Sequence, residues 1–199
     1  MRLFSYVVAR DYGFAPNPFH GFCTLATCKP EIRRTAAVGD WIIGTGSKGN
    51  RLQGHLVYAM HVSEALTFDE YWSCPRFARK RPDLHGSKKV AFGDNIYHRA
   101  RTGTWMQENS HHSLPSGSAN PGNVSHDTRV DRVLISEHFV YFGGDAPLIP
   151  SRFRDFQGVD VCLGGRGHRC HFPEQLVEAF VAWLEDLPLC GYAGRPQDW

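Results

Sequence analysis

The order of strand and helix signals limits the fold of this chain more than any single motif. Apolar runs rich in β-branched and aromatic residues come early, at 2–9 (RLFSYVVA), 41–45 (WIIGT), 54–64 (GHLVYAMHVSE) and 130–142 (VDRVLISEHFVYF). The one long helical pattern comes last. In FPEQLVEAFVAWLEDL, residues 172–187, Leu176, Val177, Phe180, Val181 and Leu184 form one apolar stripe, and Pro173 suits a helix start. Because helices do not alternate with strands, parallel doubly wound architectures are disfavoured. The expectation is one α+β domain over 1–199, built on a curved, mainly antiparallel sheet or a small barrel, with the C-terminal helix packed on it.

Shorter signals fill in the rest. Thr67 can cap a helix over TFDEYWSC, with Asp69 and Glu70 in its first turn and Pro75 as its stop. The tail PSGSANPGN, at 115–123, reads as a turn-rich loop. A hydrophobic content of 42% against 21% charged residues is globular, not disordered. The formal charge of +2 does not demand a polyanionic partner, although eleven histidines would add charge near pH 6. No run approaches the ~20 apolar residues of a membrane span, and no secretory signal is recognisable. Six cysteines without a dense framework then fit reduced thiols and a cytoplasmic location.

Candidate chemistry concentrates in GDNIYHRARTGTWMQENSHHS, residues 93–113, followed by HDTR at 126–129. This stretch is dense in side chains that donate and accept hydrogen bonds and in groups that titrate. The candidate metal-ligand sets are His98, His111, His112 and His126 with Asp94, Glu108 and Asp127, and Cys162, His168, Cys170 and His171. No diagnostic spacing is present, so the residues do not point to a metal, and no cofactor is specified. No nucleophile elbow appears, and no cysteine lies in a local catalytic signature. GTGSKGN at 44–50 has glycines and Lys48 but not the arc of a phosphate loop, and GGRGH at 164–168 is a basic turn whose Arg166 could meet a phosphate.

Aromatic and amide residues carry more weight. Trp41, Tyr97, Trp105 and Phe142 lie in or near the polar segment, and rings of this kind stack on nucleobases while amides read base edges. For Trp41 and Phe142 core packing is the stronger expectation. The expected pocket has Tyr97 or Trp105 stacking and Asn95, Gln107 and Asn109 reading edges, with Ser110, Arg129 and Arg166 as further ligand contacts. Asp94, His98, His111, His112 and Asp127 would be its acid, base or phosphate partners.

The pieces LFSYVVARDYGFAPNPFHGFCTLATCKP, GDWIIGTGS, LTFDEYW, GDNIYHR, W-x-Q-x-x-S-x-H-S, HDTRVDRVLISEHFVYFG and G-R-G-H…FPE resemble the nucleotide modification associated domain 2 family of bacteria and their phages. The resemblance runs from Arg2 to about Phe180. It implies an accessory protein of a DNA or nucleotide base-modification system, with a nucleotide or nucleic acid, in particular DNA, and other proteins of that system as partners, and no membrane. A weaker likeness, V-G-D-W-I-I-G followed by HLVYAMHVSEAL, is to PUA-like barrels such as EVE and ASCH domains, which hold modified bases. The leading functional expectation is therefore binding of a modified nucleobase or nucleotide in the polar pocket. The alternatives are a base- or nucleotide-modifying transferase or hydrolase using the His/Asp/Glu groups, and a structural subunit of a modification or defence complex.

Overall fold

A computed structural model describes residues 1–199. Its strands are β1 (Leu3–Val8), β2 (Cys23–Leu25), β3 (Trp41–Gly46), β4 (Leu56–His61), β5 (Glu64–Leu66), β6 (Tyr97–Arg99), β7 (Trp105–Gln107), β8 (Val133–Ser136), β9 (His138–Tyr141), β10 (His168–Arg169) and β11 (Gly191–Tyr192). The α-helices are α1 (Pro30–Thr35), α2 (Phe68–Ser73), α3 (Lys88–Ala91), α4 (Pro121–Thr128) and α5 (Glu174–Glu185). No helix is long and apolar enough to cross a membrane.

The chain divides into two compact units, each assembled from separate segments. The first comprises Met1–Asp11, Ala36–Ser63 and Ser136–Trp199, and the second Tyr12–Thr35 and Glu64–Ile135. In the first unit an open six-stranded sheet runs in the order β10-β1-β3-β4-β9-β11. The pairs β1–β10, β3–β4 and β4–β9 are antiparallel, whereas β1–β3 and β9–β11 are parallel. The fold is thus α+β, and of the two forms expected from the sequence it takes the open sheet, not the closed barrel. All six residues of β3 are buried, which explains its unbroken apolar run: both faces are covered. Trp41 and Phe142 are core residues, as their apolar settings suggested. The stripe on α5 is buried as the periodicity requires, with Phe180 edge-on to Phe153 at 5.1 Å.

The second unit packs around Phe14, Ala26, Phe68, Tyr71, Phe77, Ile96, Tyr97, Val133 and Ile135. Its three-stranded sheet has the order β2-β8-β5, and β6 and β7 form an antiparallel hairpin. Helix α2 begins with the expected cap, completed as a capping box: the Thr67 hydroxyl accepts from the Glu70 N–H and the Glu70 carboxylate accepts from the Thr67 N–H. Part of the expected loop at 115–123 is instead helix α4, opened by the Asn120 side chain, which accepts from the N–H groups of Gly122 and Asn123, and by Pro121 in the first turn. That helix carries Asp127.

Candidate active site

Three segments of the second unit bring a thiol, an imidazole and a carboxylate together. Asp127 sits near the end of α4 with only 1% of its side chain exposed. His112 lies in the turn after β7, and its carbonyl accepts from the Asn123 side chain at 2.8 Å, which ties that turn to α4. Its Nδ1 is 3.1 Å from Asp127 Oδ2. A carboxylate only accepts, so Nδ1 carries the hydrogen and Nε2 is left to face another group. That group is the Cys28 thiol, whose Sγ is 3.7 Å from Nε2.

Cys28 is held by both its backbone groups. Its N–H donates to Asp127 Oδ1 at 2.8 Å, and its carbonyl accepts from Arg33 Nε at 3.0 Å. Cys28 and Lys29 both have left-handed backbones, with φ of 55° and 42°. A residue with a β-carbon pays on the order of 1–3 kcal/mol for such a conformation, so surrounding bonds must hold it. Arg33 supplies much of that hold. It is fully buried in α1, and its guanidinium also donates to the carbonyls of Asp127 (2.6 Å), Val130 (2.7 Å) and Arg132 (2.7 Å). One cation thereby fixes the main chain at both the thiol and the carboxylate.

The electrostatics follow from these contacts. Burial alone would lower the basicity of His112, but the hydrogen bond to Asp127 and the neighbouring Cys28 outweigh it and push the imidazole up to about 9. The Tyr97 hydroxyl donates to Asp127 Oδ2 at 3.0 Å, and burial together with that carboxylate pushes the phenol up, so it stays a neutral donor. Gln107 donates to the Tyr97 oxygen at 3.1 Å and accepts from the Asn120 N–H at 2.7 Å, linking the β6–β7 hairpin to α4.

A flank of rings borders the imidazole. Phe14 lies 4.6 Å from His112, and His111 sits among Tyr12, Phe14 and Phe92 at 4.6, 5.4 and 5.2 Å. Burial and the His112 charge lower the basicity of His111, which favours its neutral ring. Tyr12 and Cys28 are both partly exposed.

The structure therefore joins His112, Asp127, Tyr97 and Gln107 in one network and sets His111 beside it. Tyr97 is fully buried and supports Asp127 through its hydroxyl instead of offering a free face. The other expected residues have different partners. Asp94 is buried, accepting from Thr24 and Tyr71 hydroxyls at 2.6 and 2.8 Å; burial raises its carboxyl, and the nearby Lys80 charge opposes that. Asn95 is buried and donates to the carbonyls of Tyr71 and Phe77, so it holds the core. His98 bonds Glu108 at 2.8 Å and stacks on Trp72 at 4.3 Å. Trp105 packs edge-on to Phe68 and under the Arg99 guanidinium. Ser110 is buried and its hydroxyl accepts from the His112 N–H, Asn109 is exposed, and Arg129 pairs with Glu31 at 3.3 Å. Arg166 belongs to the first unit, exposed in its turn.

Cys28 is the member that sequence reasoning missed. It is 84 residues from His112 and has no local signature. The only signal was its place in TCKP, a thiol just before a helix-starting proline.

The three donor atoms of Cys28, His112 and Asp127 lie within 4.8 Å of one another, a spacing a metal ion could bridge. The ring orientation argues against that use. The carboxylate and the thiol address opposite nitrogens of one imidazole, whereas a metal ligated by His112 would occupy one of them and break a contact on that side. Carboxylate, imidazole and thiol in line are instead the order of a proton relay to a nucleophile.

Comparison with known proteins gives a family. The model of the family described as nucleotide modification associated domain 2 matches residues 1–199. No curated protein and no solved structure matches the chain.

Proposed function

The chain belongs to the nucleotide modification associated domain 2 family, and from that premise and the site geometry we propose that it is a thiol enzyme of a base-modification system. The observation that carries this reading is the threading of His112 between Asp127 and Cys28, one ring nitrogen to each. Cys28 is the nucleophile and His112 the proton carrier. Asp127 orients the ring and stabilises its charged form, and Tyr97 and Arg33 position the carboxylate and the backbone around it.

The reaction class that uses such a relay in both directions is acyl transfer. Sγ bonds to the acyl carbon of an amide or ester while its proton is already held on Nε2 of the charged His112 ring. The tetrahedral adduct collapses, the carbon–heteroatom bond breaks, and the leaving group takes the proton from His112. A thioester remains on Cys28. Water, or an amine or hydroxyl on a nucleobase, then gives its proton to Nε2 and displaces the sulfur, restoring the thiol. The substrate is a modified nucleobase or nucleotide, free or in DNA. The rings of Tyr12, His111 and Phe14 beside the imidazole support this, because a base can stack there while its substituent meets the sulfur.

The test uses p-nitrophenyl acetate as a minimal acyl donor. A burst of nitrophenol with one acetyl group on Cys28, found by peptide mass spectrometry, is expected from the wild type. Cys28→Ala and His112→Ala should abolish both, and pre-treatment with a chelator should change neither. Loss of the burst on metal removal would favour a metal centre. Nucleoside binding without any Cys28 acylation would favour a non-catalytic reader.

A further inference from the structure

The first unit holds a second feature that the thiol chemistry does not use. Strand β3 leads into the segment SKGNRL, which turns back so tightly that a β-carbon on Gly46 would lie 2.1 Å from the Leu52 carbonyl oxygen. The loop is closed from within: Leu52 N–H donates to the Ser47 carbonyl at 3.1 Å, Arg51 N–H to the Lys48 carbonyl at 3.2 Å, and Asn50 N–H to the Ser47 hydroxyl at 3.3 Å. The N–H groups of Lys48 and Gly49 are exposed and have no backbone acceptor.

This loop lines a cavity of about 690 Å³ together with Ala9, Arg10, Gln197 and Asp198. That volume lies in the range of small-ligand sites. Arg10 and Arg51 supply two cations against one carboxylate. Asp198 is already engaged, accepting from the Asp11 N–H at 2.6 Å and lying 4.0 Å from Arg10. Asn50 Nδ2 is buried without an acceptor, while its Oδ1 accepts from the Leu52 N–H. An orphaned amide donor is costly to bury, and here it sits behind the loop surface. The lining is thus rich in donors, has free loop amides and carries excess positive charge. Oxygen-rich anions meet those needs, and a phosphate backbone amide cradle needs no particular sequence motif.

We infer that this cavity binds the phosphate groups of a free nucleoside polyphosphate, through Arg10, Arg51 and the Gly49 main chain. The inference does not rest on the thiol reading, since Cys28 belongs to the other unit.

Calorimetric titration of the full chain tests it with four probes: a nucleoside triphosphate, the matching nucleoside, inorganic pyrophosphate and a short single-stranded oligodeoxynucleotide. The triphosphate should bind at least about tenfold more tightly than the nucleoside, since charge-assisted hydrogen bonds supply the difference. Arg51→Asn keeps a residue that tolerates the left-handed φ of 61° and removes the charge. It and Arg10→Gln should each weaken binding about tenfold with the melting temperature unchanged, and Cys28→Ala should bind as the wild type does. Equal affinity for nucleoside and triphosphate would overturn the inference. So would silence of every phosphate probe at millimolar concentration, wild-type binding by both arginine variants, or binding of the oligonucleotide alone. Preserved binding in a protein that fails the acylation test would sink the thiol reading and leave this one standing.

Discussion

Asp127→Asn isolates the electrostatic part of the relay. The amide is the same size as the carboxylate, and its oxygen can still accept from the Cys28 N–H, while its NH2 replaces the oxygen that accepts from Tyr97 and His112. What disappears is one of the two influences, Asp127 and the neighbouring Cys28, that together lift His112 from 6.5 to about 9, a combined preference for the imidazolium of roughly 3 kcal/mol. With that charge gone, only the Cys28 contact opposes burial, so the value should fall well below that of the wild type. The direct assay is an NMR titration of the His112 ring. The sign for stability follows by linkage. A histidine whose folded value is raised stabilises the fold fully below pH 6.5 and loses that contribution as pH rises through about 9. The wild type should therefore lose up to about 3 kcal/mol from this group between pH 6 and 9.5 in urea unfolding, and Asp127→Asn should show a clearly smaller loss. A wild-type His112 titrating near 6.5, or one unchanged by Asp127→Asn, would refute the reasoning.

Arg33→Met should cost about 3–5 kcal/mol in chemical denaturation, because four carbonyls lose a buried donor; Arg33→Lys should not restore it, since one ammonium cannot span that set. Phe180→Ala should cost about 3–5 kcal/mol in the same assay, as a fully buried ring leaves a cavity beside Phe153. His98→Ala should leave the acetyl burst intact, because His98 is engaged with Glu108 and Trp72 and makes no bond to Cys28, His112 or Asp127.

Local patterns made much of the fold legible. β1, β3 and β4 announced themselves as apolar runs, Thr67 as a cap, and α5 as a stripe, since each depends on neighbours in sequence. The parallel pairing of β1 with β3 did not, because the chain between them enters the other unit, and non-local pairing leaves no periodic trace. Helix α4 was hidden by its composition: PGNVSHDT has no apolar face, and only Asn120 and Pro121 signalled a start. The site divides the same way. His112 and Asp127 stood out within a dense polar stretch. Asp94 and Asn95 belong to the same stretch, yet their side chains serve the core, which polarity alone cannot distinguish from a pocket. Cys28 joins His112 only through the tertiary fold.

The central claim is that Cys28 is an activated nucleophile, and limited alkylation measures that most directly. The protein carries six free cysteines, of which Cys190 is exposed and Cys28 only partly so. Under substoichiometric iodoacetamide at pH 7, peptide mass spectrometry should find Cys28 labelled first, with that priority lost in His112→Ala, since exposure alone favours Cys190. Labelling that follows exposure, with Cys190 ahead of Cys28 and no change in His112→Ala, would contradict the account.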